Sequence, residues 1–406
     1  MRQLLFNMKL EALRSHRNKL KRGLWIMSNP ETENFFNYYN PVNINFGFNK
    51  YYLLIKKIVN GNFKRAALFY GRESMKKAGV IDKIKESLDK CVINEYGGIL
   101  PNPQVSDIEK FVSTCKESYD VIIAVGGGSV IDFAKSAAFL LPQNQSIRSI
   151  LKDRPENLKN SIPFIAVPTT AGTGSEVTPW ASLWDVTKKK YSLSHKKMFP
   201  CYAVLDPALT ISLPAKVTAY TAFDALSHAL EALWSKNSNP VSDVFAFESV
   251  SMFVNTYDKL MDNLSDPELR SGMLKTSLYA GLAFSNTKTA AVHSVSYPVT
   301  MHFNVPHGEA CALLLGEFLL FNKDYIEKSK VDTLCNIFRV KNFSELKEKL
   351  ANMAQNGGLA VRLSHAGIDA DGIDIIVREG FSPDRILNNP RDVTKQDLYL
   401  ILNNIF

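Results

Sequence analysis

Residues 120–141 read DVIIAVGGGSVIDFAKSAAFLL: an apolar β-branched run, three consecutive glycines, then a segment with Ile131, Ala134, Ala138 and Leu141 on one helical face. A strand that ends in glycines and opens a helix is a βα unit suited to phosphate. Glycine lets the backbone approach the anion, and the unpaired N–H groups of the first helical turn attract it. Ser129 is expected to add a capping hydroxyl there, with Asp132 in the first turn. The triplet departs from the GxGxxG fingerprint, so taken alone it is equally a tight turn that needs glycines.

The same alternation runs from Pro41 to about Leu213. Residues 65–70 (RAALFY), 91–96, 120–125, 162–167 and 202–205 read as strands, and 73–89, 103–118 and 129–141 as helices. Such alternation implies a mostly parallel sheet covered on both faces. A second polar segment, 168–176 (PTTAGTGSE), follows another apolar strand and offers Thr169, Thr170, Thr173 and Ser175 to the same edge. Two such loops on one sheet suit a ligand with several phosphates and hydroxyls, such as a dinucleotide. After Pro214 long helical periods take over, at 217–235, 240–262, 268–285 and beyond Gly308. The expected organisation is a basic extension (1–38), a dinucleotide-binding α/β domain (39–213) and an all-helical metal-binding domain (214–406).

Asp224 and His228 stand at i and i+4 in FDALSHALEAL, so both project from one helical face. His293 follows a helical stretch, and His307 sits in Val305-Pro306-His307-Gly308. Three imidazoles and a carboxylate suit Fe²⁺ or Zn²⁺ with room for a substrate oxygen. His16, His195 and His365 have no such company and read as ordinary surface or core residues.

The net charge of +8 raises the possibility of an acidic partner. Much of the excess lies in Lys9, Arg14, Arg17, Lys19, Lys21 and Arg22, however, which leaves the remainder only mildly basic and argues against nucleic-acid binding. No apolar run approaches the roughly 20 residues of a membrane span. The start lacks the apolar core of a secretory signal; its basic, acid-poor character is read as an extension, with Met27 an alternative start. Five scattered cysteines with no CxxC fit reduced thiols in the cytoplasm.

The set GGGSVIDFAK (126–135), PTTAGTGSE (168–176), LDPALT (205–210), DALSHALE (224–231) and HSVSYPVTMHFNVPHGEA (293–310) resembles the iron-containing, group III alcohol dehydrogenases over about residues 40–400. The resemblance implies the fold shared with dehydroquinate synthase, a homodimer, and metal ligands at Asp224, His228, His293 and His307. It implies diphosphate contacts at Gly127, Gly128 and Ser129, and nicotinamide-side contacts at Thr169, Thr170, Thr173 and Ser175. The implied reaction is reversible hydride transfer between a nicotinamide and a substrate oxygen-bearing carbon polarised by the metal.

Two departures narrow this. Many family members carry a second histidine four residues after the first; here Tyr297 stands there, a hydrogen-bond donor but no near-neutral proton shuttle. After the first strand, where NAD-preferring members often place Asp, the chain has Gly71-Arg72-Glu73-Ser74. Gly71 removes a carboxylate that would repel a 2′-phosphate, and Arg72 or Ser74 can contact one, which favours NADP(H) over NAD(H). HSVSYP, preceded by SNTKTA and TPWASLWD, resembles the phosphonoacetaldehyde reductase subgroup, which makes 2-hydroxyethylphosphonate. A dianionic substrate needs cations, for which Lys288 is the candidate, while Lys196 and Lys197 read as solvated. The alternatives are a generic short-chain alcohol dehydrogenase of the same family and a dehydroquinate synthase-like lyase, which would need a site richer in Lys and Arg.

Overall fold

The computed structural model describes residues 35–406 except 154, 156, 188 and 189. The basic segment from Lys9 to Arg22 and Met27 lie outside the described residues. Tyr39–Phe406 form one compact unit.

The first half alternates β1 (Asn43–Phe46), α1 (Tyr51–Val59), β2 (Arg65–Tyr70), α2 (Ser74–Lys77), α3 (Val80–Ser87), β3 (Val92–Tyr96), α4 (Val105–Thr114), β4 (Val121–Gly126), α5 (Gly128–Leu140), α6 (Ile147–Asp153) and β5 (Phe164–Pro168). A hairpin of β6 (Trp180–Trp184) and β7 (Lys190–Ser194) follows, then β8 (Tyr202–Leu205). Six strands form one sheet in the order β1-β8-β5-β4-β2-β3, with every pairing parallel. β4 and β5 are buried along their whole length because helices cover both faces, which is why they read as unbroken apolar runs.

Three local expectations are corrected. Residues 73–89 hold two helices, because Gly79 adopts φ 71° between them. β1 is an additional strand, parallel to β8 at the sheet edge. The segment 180–194, which carries no strand pattern wide enough to stand out, pairs as the antiparallel β6–β7 ribbon. The LDPALT motif also gains a reason: buried Asp206 caps the turn after β8 through Ala208 N and accepts the N–H groups of Asn49, Lys50 and Tyr51 at the start of α1.

The second half is helical: α7 (Ala215–Trp234), α8 (Pro240–Asp262), α9 (Pro267–Thr287), α10 (Ala291–Phe303), α11 (His307–Asn322), α12 (Lys328–Phe338), α13 (Phe343–Asn356), α14 (Ala370–Glu379), α15 (Pro383–Ile386) and α16 (Lys395–Asn404). The α8 start is fixed by a capping box between Asn239 and Ser242 with Pro240 next to the cap. α7 is buried almost throughout, with α8, α9 and α11 packed around it. Polar side chains on such a helix need partners inside the protein or a ligand. Among the described residues, no helix is long and apolar enough to cross a membrane.

Candidate active site

Gly126 at the end of β4 pairs in register with Pro168 at the end of β5, so the two glycine-bearing loops leave the sheet side by side. α5 starts at Gly128, and no side chain caps it. A Cβ on Gly128 would stand 2.6 Å from Thr173 Cγ2, so only glycine lets the loops meet this closely. Ser129 is therefore the second helical residue and not the cap; its Oγ accepts from Asn102 N at 3.2 Å. Asp132 lies past the first turn. Its two carboxylate oxygens accept from Ser175 Oγ and from Ser182 N, so it braces the second loop and the hairpin against α5.

Lys135, one turn further on, is buried beside this brace. Its Nζ lies 2.8–3.2 Å from the carbonyls of Ser175, Thr178 and Trp180 and the hydroxyls of Ser175 and Thr178. Burial lowers its amine to about 8, and Asp132 and Glu176 pull the other way. The GGGSVIDFAK segment thus carries both the loop and the cation that anchors its neighbour.

A cavity of about 890 Å³ opens where these loops face the helices, a size suited to a cofactor with a small substrate. Gly71, Arg72, Asn102, Gly127, Gly128, Ser129, Asp132, Thr170, Thr173 and Ser175 line it from the sheet side. Asp224, His228, Lys288, His293, Tyr297 and His307 line it from the helices. Ser74 and Thr169 do not line it. Lys288 caps the end of α9 with φ 61° and is exposed.

Asp224 and His228 share one face of α7, His293 lies in the first turn of α10, and His307 opens α11 after Pro306. Gly308 lets α11 touch α7: a Cβ there would fall 1.9 Å from the carbonyl oxygen of Tyr220. Asp224 Oδ1 is the hub, 3.9 Å from His228 Nδ1, 3.6 Å from His293 Nε2 and 3.7 Å from His307 Nε2. These separations are too long for hydrogen bonds. They approach the roughly 3–3.5 Å between donors that share one ion at bonds of about 2.0–2.2 Å.

Asp224 Oδ1, His228 Nδ1 and His293 Nε2 are buried without a hydrogen-bond partner, a costly arrangement unless a cation joins them. Burial raises the Asp224 carboxyl, but the imidazoles of His228, His293 and His307 outweigh it and hold it well below the carboxylate range. Burial pushes the His228 imidazole down, leaving it neutral. A carboxylate with neutral imidazole is the ligating form. Burial pushes the His293 imidazole down too, but Cys311, Glu231 and Asp224 raise it well above its ordinary range, so a metal ion would displace a proton there to reach the ligating form. The donor set fits a divalent metal.

Two further residues belong to this cluster. Cys311, one turn after His307 on α11, offers Sγ 4.0 Å from His307 Nε2, and the donors of Asp224, His293, His307 and Cys311 all lie within 4.8 Å of one another. His228 falls outside that tightest group, stacked between Phe284 at 4.0 Å and His293 at 4.3 Å. Glu231, fully buried, accepts from Val292 N at 2.7 Å and holds His293 Nδ1 at 2.6 Å. It fixes the tautomer that turns His293 Nε2 toward Asp224. Spacing alone offered both: Glu231 extends the Asp224–His228 stripe to i+7, and Cys311 follows His307 at i+4. Glu231→Gln is expected to weaken metal affinity by about 10–100-fold. Titration against a competing chelator measures this; unchanged affinity would show that Glu231 only packs.

Tyr297 lies one turn after His293 on α10 and is buried. Its ring stacks on His307 (5.6 Å, 16°) and meets Trp184 edge-on at 6.0 Å.

Residues 41–207 match the family of iron-containing alcohol dehydrogenases, and residues 218–406 match the C-terminal part of the Fe-containing alcohol dehydrogenase family. The chain belongs to the iron-containing alcohol dehydrogenases. Among its relatives in that family is long-chain-alcohol dehydrogenase 1 of Geobacillus thermodenitrificans, 31% identical over 347 residues, or 81% of this chain and 87% of that one. The phosphonoacetaldehyde reductase of Streptomyces viridochromogenes is 35% identical over 210 residues, about half of each chain (50% and 53%). Among solved structures, sulfoacetaldehyde reductase from Bifidobacterium kashiwanohense in complex with NAD⁺ has a TM-score of 0.85 and 28% identity, covering 91% of this chain and 98% of that one. As a member of this family the chain is an oxidoreductase with a small-molecule substrate.

Proposed function

We propose that the enzyme reduces phosphonoacetaldehyde to 2-hydroxyethylphosphonate with NADPH. The observation that carries this reading is Tyr297, where many family members have histidine, stacked on His307 at the metal end of the cavity. The 35% identity to a phosphonoacetaldehyde reductase supports it. Asp224, His228, His293 and His307 are the residues that would hold a divalent iron or zinc ion, with Cys311 Sγ beside them. When bound, such an ion supplies Lewis acidity to a carbonyl oxygen.

Gly127, Gly128 and Ser129 would receive the cofactor diphosphate at the start of α5, and Thr170, Thr173 and Ser175 its nicotinamide side. The aldehyde carbon takes up hydride and its oxygen a proton, for which the Tyr297 hydroxyl is the candidate donor. The test is turnover on phosphonoacetaldehyde against a neutral aldehyde of the same length. Equal kcat/KM for the two would overturn the phosphonate assignment and leave a general short-chain alcohol dehydrogenase.

The preference for NADP(H) rests on the end of β2. A Cβ on Gly71 would meet only Val130 Cγ2, at 3.7 Å, so a side chain fits there. Exposed Arg72 lines the same part of the cavity. Gly71→Asp places a carboxylate where a 2′-phosphate would lie, and like charges so opposed cost several kcal/mol. The variant is expected to lose at least about tenfold in kcat/KM for NADPH while keeping NADH turnover. An unchanged ratio between the cofactors would place the 2′ position elsewhere.

A further inference from the structure

Beside the metal donors the cavity holds two cations that sequence patterning does not bring together. Lys190 opens β7, and Arg385 lies on α15; both line the cavity. Lys190 Nζ sits 3.4 Å from the centroid of the Tyr297 ring and 5.6 Å from that of Trp184. The Arg385 guanidinium carbon is 5.1 Å from the same Tyr297 centroid. Three segments remote in sequence thus converge on one ring, and that ring is stacked on His307.

Among the described residues neither cation has a carboxylate within ion-pair distance or a side-chain hydrogen bond, and Arg385 Nε is buried without a partner. Burial and the neighbouring guanidinium push the Lys190 amine well below its ordinary range, while Asp132, Cys311 and Asp224 act more weakly in the other direction. Asp132 is already committed to Ser175 and Ser182. The face of Tyr297 offsets part of the cost of confining two like charges. The rest is met by loss of the lysine proton or by an oxyanion between the two groups, which would restore that proton and pair both charges.

We propose that Lys190 and Arg385 clamp the anionic end of the substrate, a tetrahedral oxyanion (phosphonate or sulfonate) close to the aldehyde, and thereby set the preference for charged over neutral aldehydes. The proposal rests on the reading of the site as an aldehyde reductase and moves the anion contact from exposed Lys288 to this pair. The planar guanidinium can donate to two oxygens of one oxyanion, and the lysine adds a point charge to the third. The aromatic ring beneath both cations would fix their spacing, and its stack on His307 would fix the distance from anion to reacting carbonyl.

The test uses the metal-loaded enzyme with reduced cofactor. Lys190→Met and Arg385→Gln are each expected to lower kcat/KM for phosphonoacetaldehyde at least about tenfold more than kcat/KM for propanal, the difference lying in KM. The propanal rate also reports that the variants fold. Ethylphosphonate and ethanesulfonate, which cannot be reduced, are expected to compete with propanal in the wild type and to lose that competition in both variants. The stronger of the two inhibitors identifies the oxyanion. Equal losses on both aldehydes, or no competition by either anion in the wild type, would overturn the clamp. If wild type reduces propanal and is inhibited by the anions yet does not reduce phosphonoacetaldehyde, the substrate assignment fails while the clamp stands. If it reduces no aldehyde, calorimetric binding of ethylphosphonate decides the clamp separately: binding lost in both variants supports it, and no binding by the wild type overturns it.

Discussion

Asp224→Asn is expected to remove bound metal and to lower kcat by at least about a thousandfold, a loss larger than that from a single hydrogen-bond donor at a reacting oxygen. Asp224 Oδ1 is the common neighbour of the three imidazole nitrogens, at 3.6–3.9 Å. It also supplies the single negative charge among the four ligands assigned to the metal. Asparagine keeps the volume and one oxygen, so packing against Gly308 is preserved while the charge that attracts a divalent ion is gone. The fold itself should hold, because the substitution removes a buried charge, one of whose oxygens has no hydrogen-bond partner. Elemental analysis of the purified variant, its kcat and its thermal midpoint separate these effects. Full metal content with full turnover would exclude Asp224 from the site.

The second large effect is on stability. Lys135→Met is expected to cost about 3–5 kcal/mol, the range for breaking a buried charge network by removing one partner. Methionine fills a similar space, but the carbonyls of Ser175, Thr178 and Trp180 then lose their shared donor. Asp132 would also lose the positive charge 3.9 Å from its Oδ1. Since those carbonyls belong to the Thr173–Ser175 loop and the entry to β6, cofactor affinity should fall together with the denaturation midpoint. An unchanged midpoint would mean that water replaces the ammonium without loss.

Local and regular features were legible in the sequence. β2 and β8 fall on the residues where their apolar runs lie, and α8 spans the periodic stretch bounded by Pro240 and Asp262. The loops after β4 and β5 announce themselves because glycines and small hydroxyl residues follow unbroken apolar strands. Harder to see were elements whose reason is distant in the chain. β1 is a four-residue edge strand, largely exposed, that exists because β8 offers it a parallel partner. The β6–β7 ribbon alternates in burial only along the start of β6 and not along β7, yet it carries Lys190 to the cavity.

The site shows the same division. Asp224 and His228 are readable as an i, i+4 pair, and Glu231 could have been found by following that stripe one step further. Lys135 carries no spacing signal of its own, and only the loops folded over it make it a buried anchor. Lys190 and Arg385 share no spacing at all: a hairpin and a four-residue helix bring them to one cavity, and Tyr297 is what they have in common.

The most direct measurement of the central claim strips the purified protein with a chelator, returns Fe²⁺ or Zn²⁺, and follows oxidation of NADPH on addition of phosphonoacetaldehyde. The account predicts no turnover in the stripped protein, recovery with stoichiometric metal, and formation of 2-hydroxyethylphosphonate equal to the NADPH consumed. Full turnover without metal, or no NADPH oxidation with either metal, would contradict it.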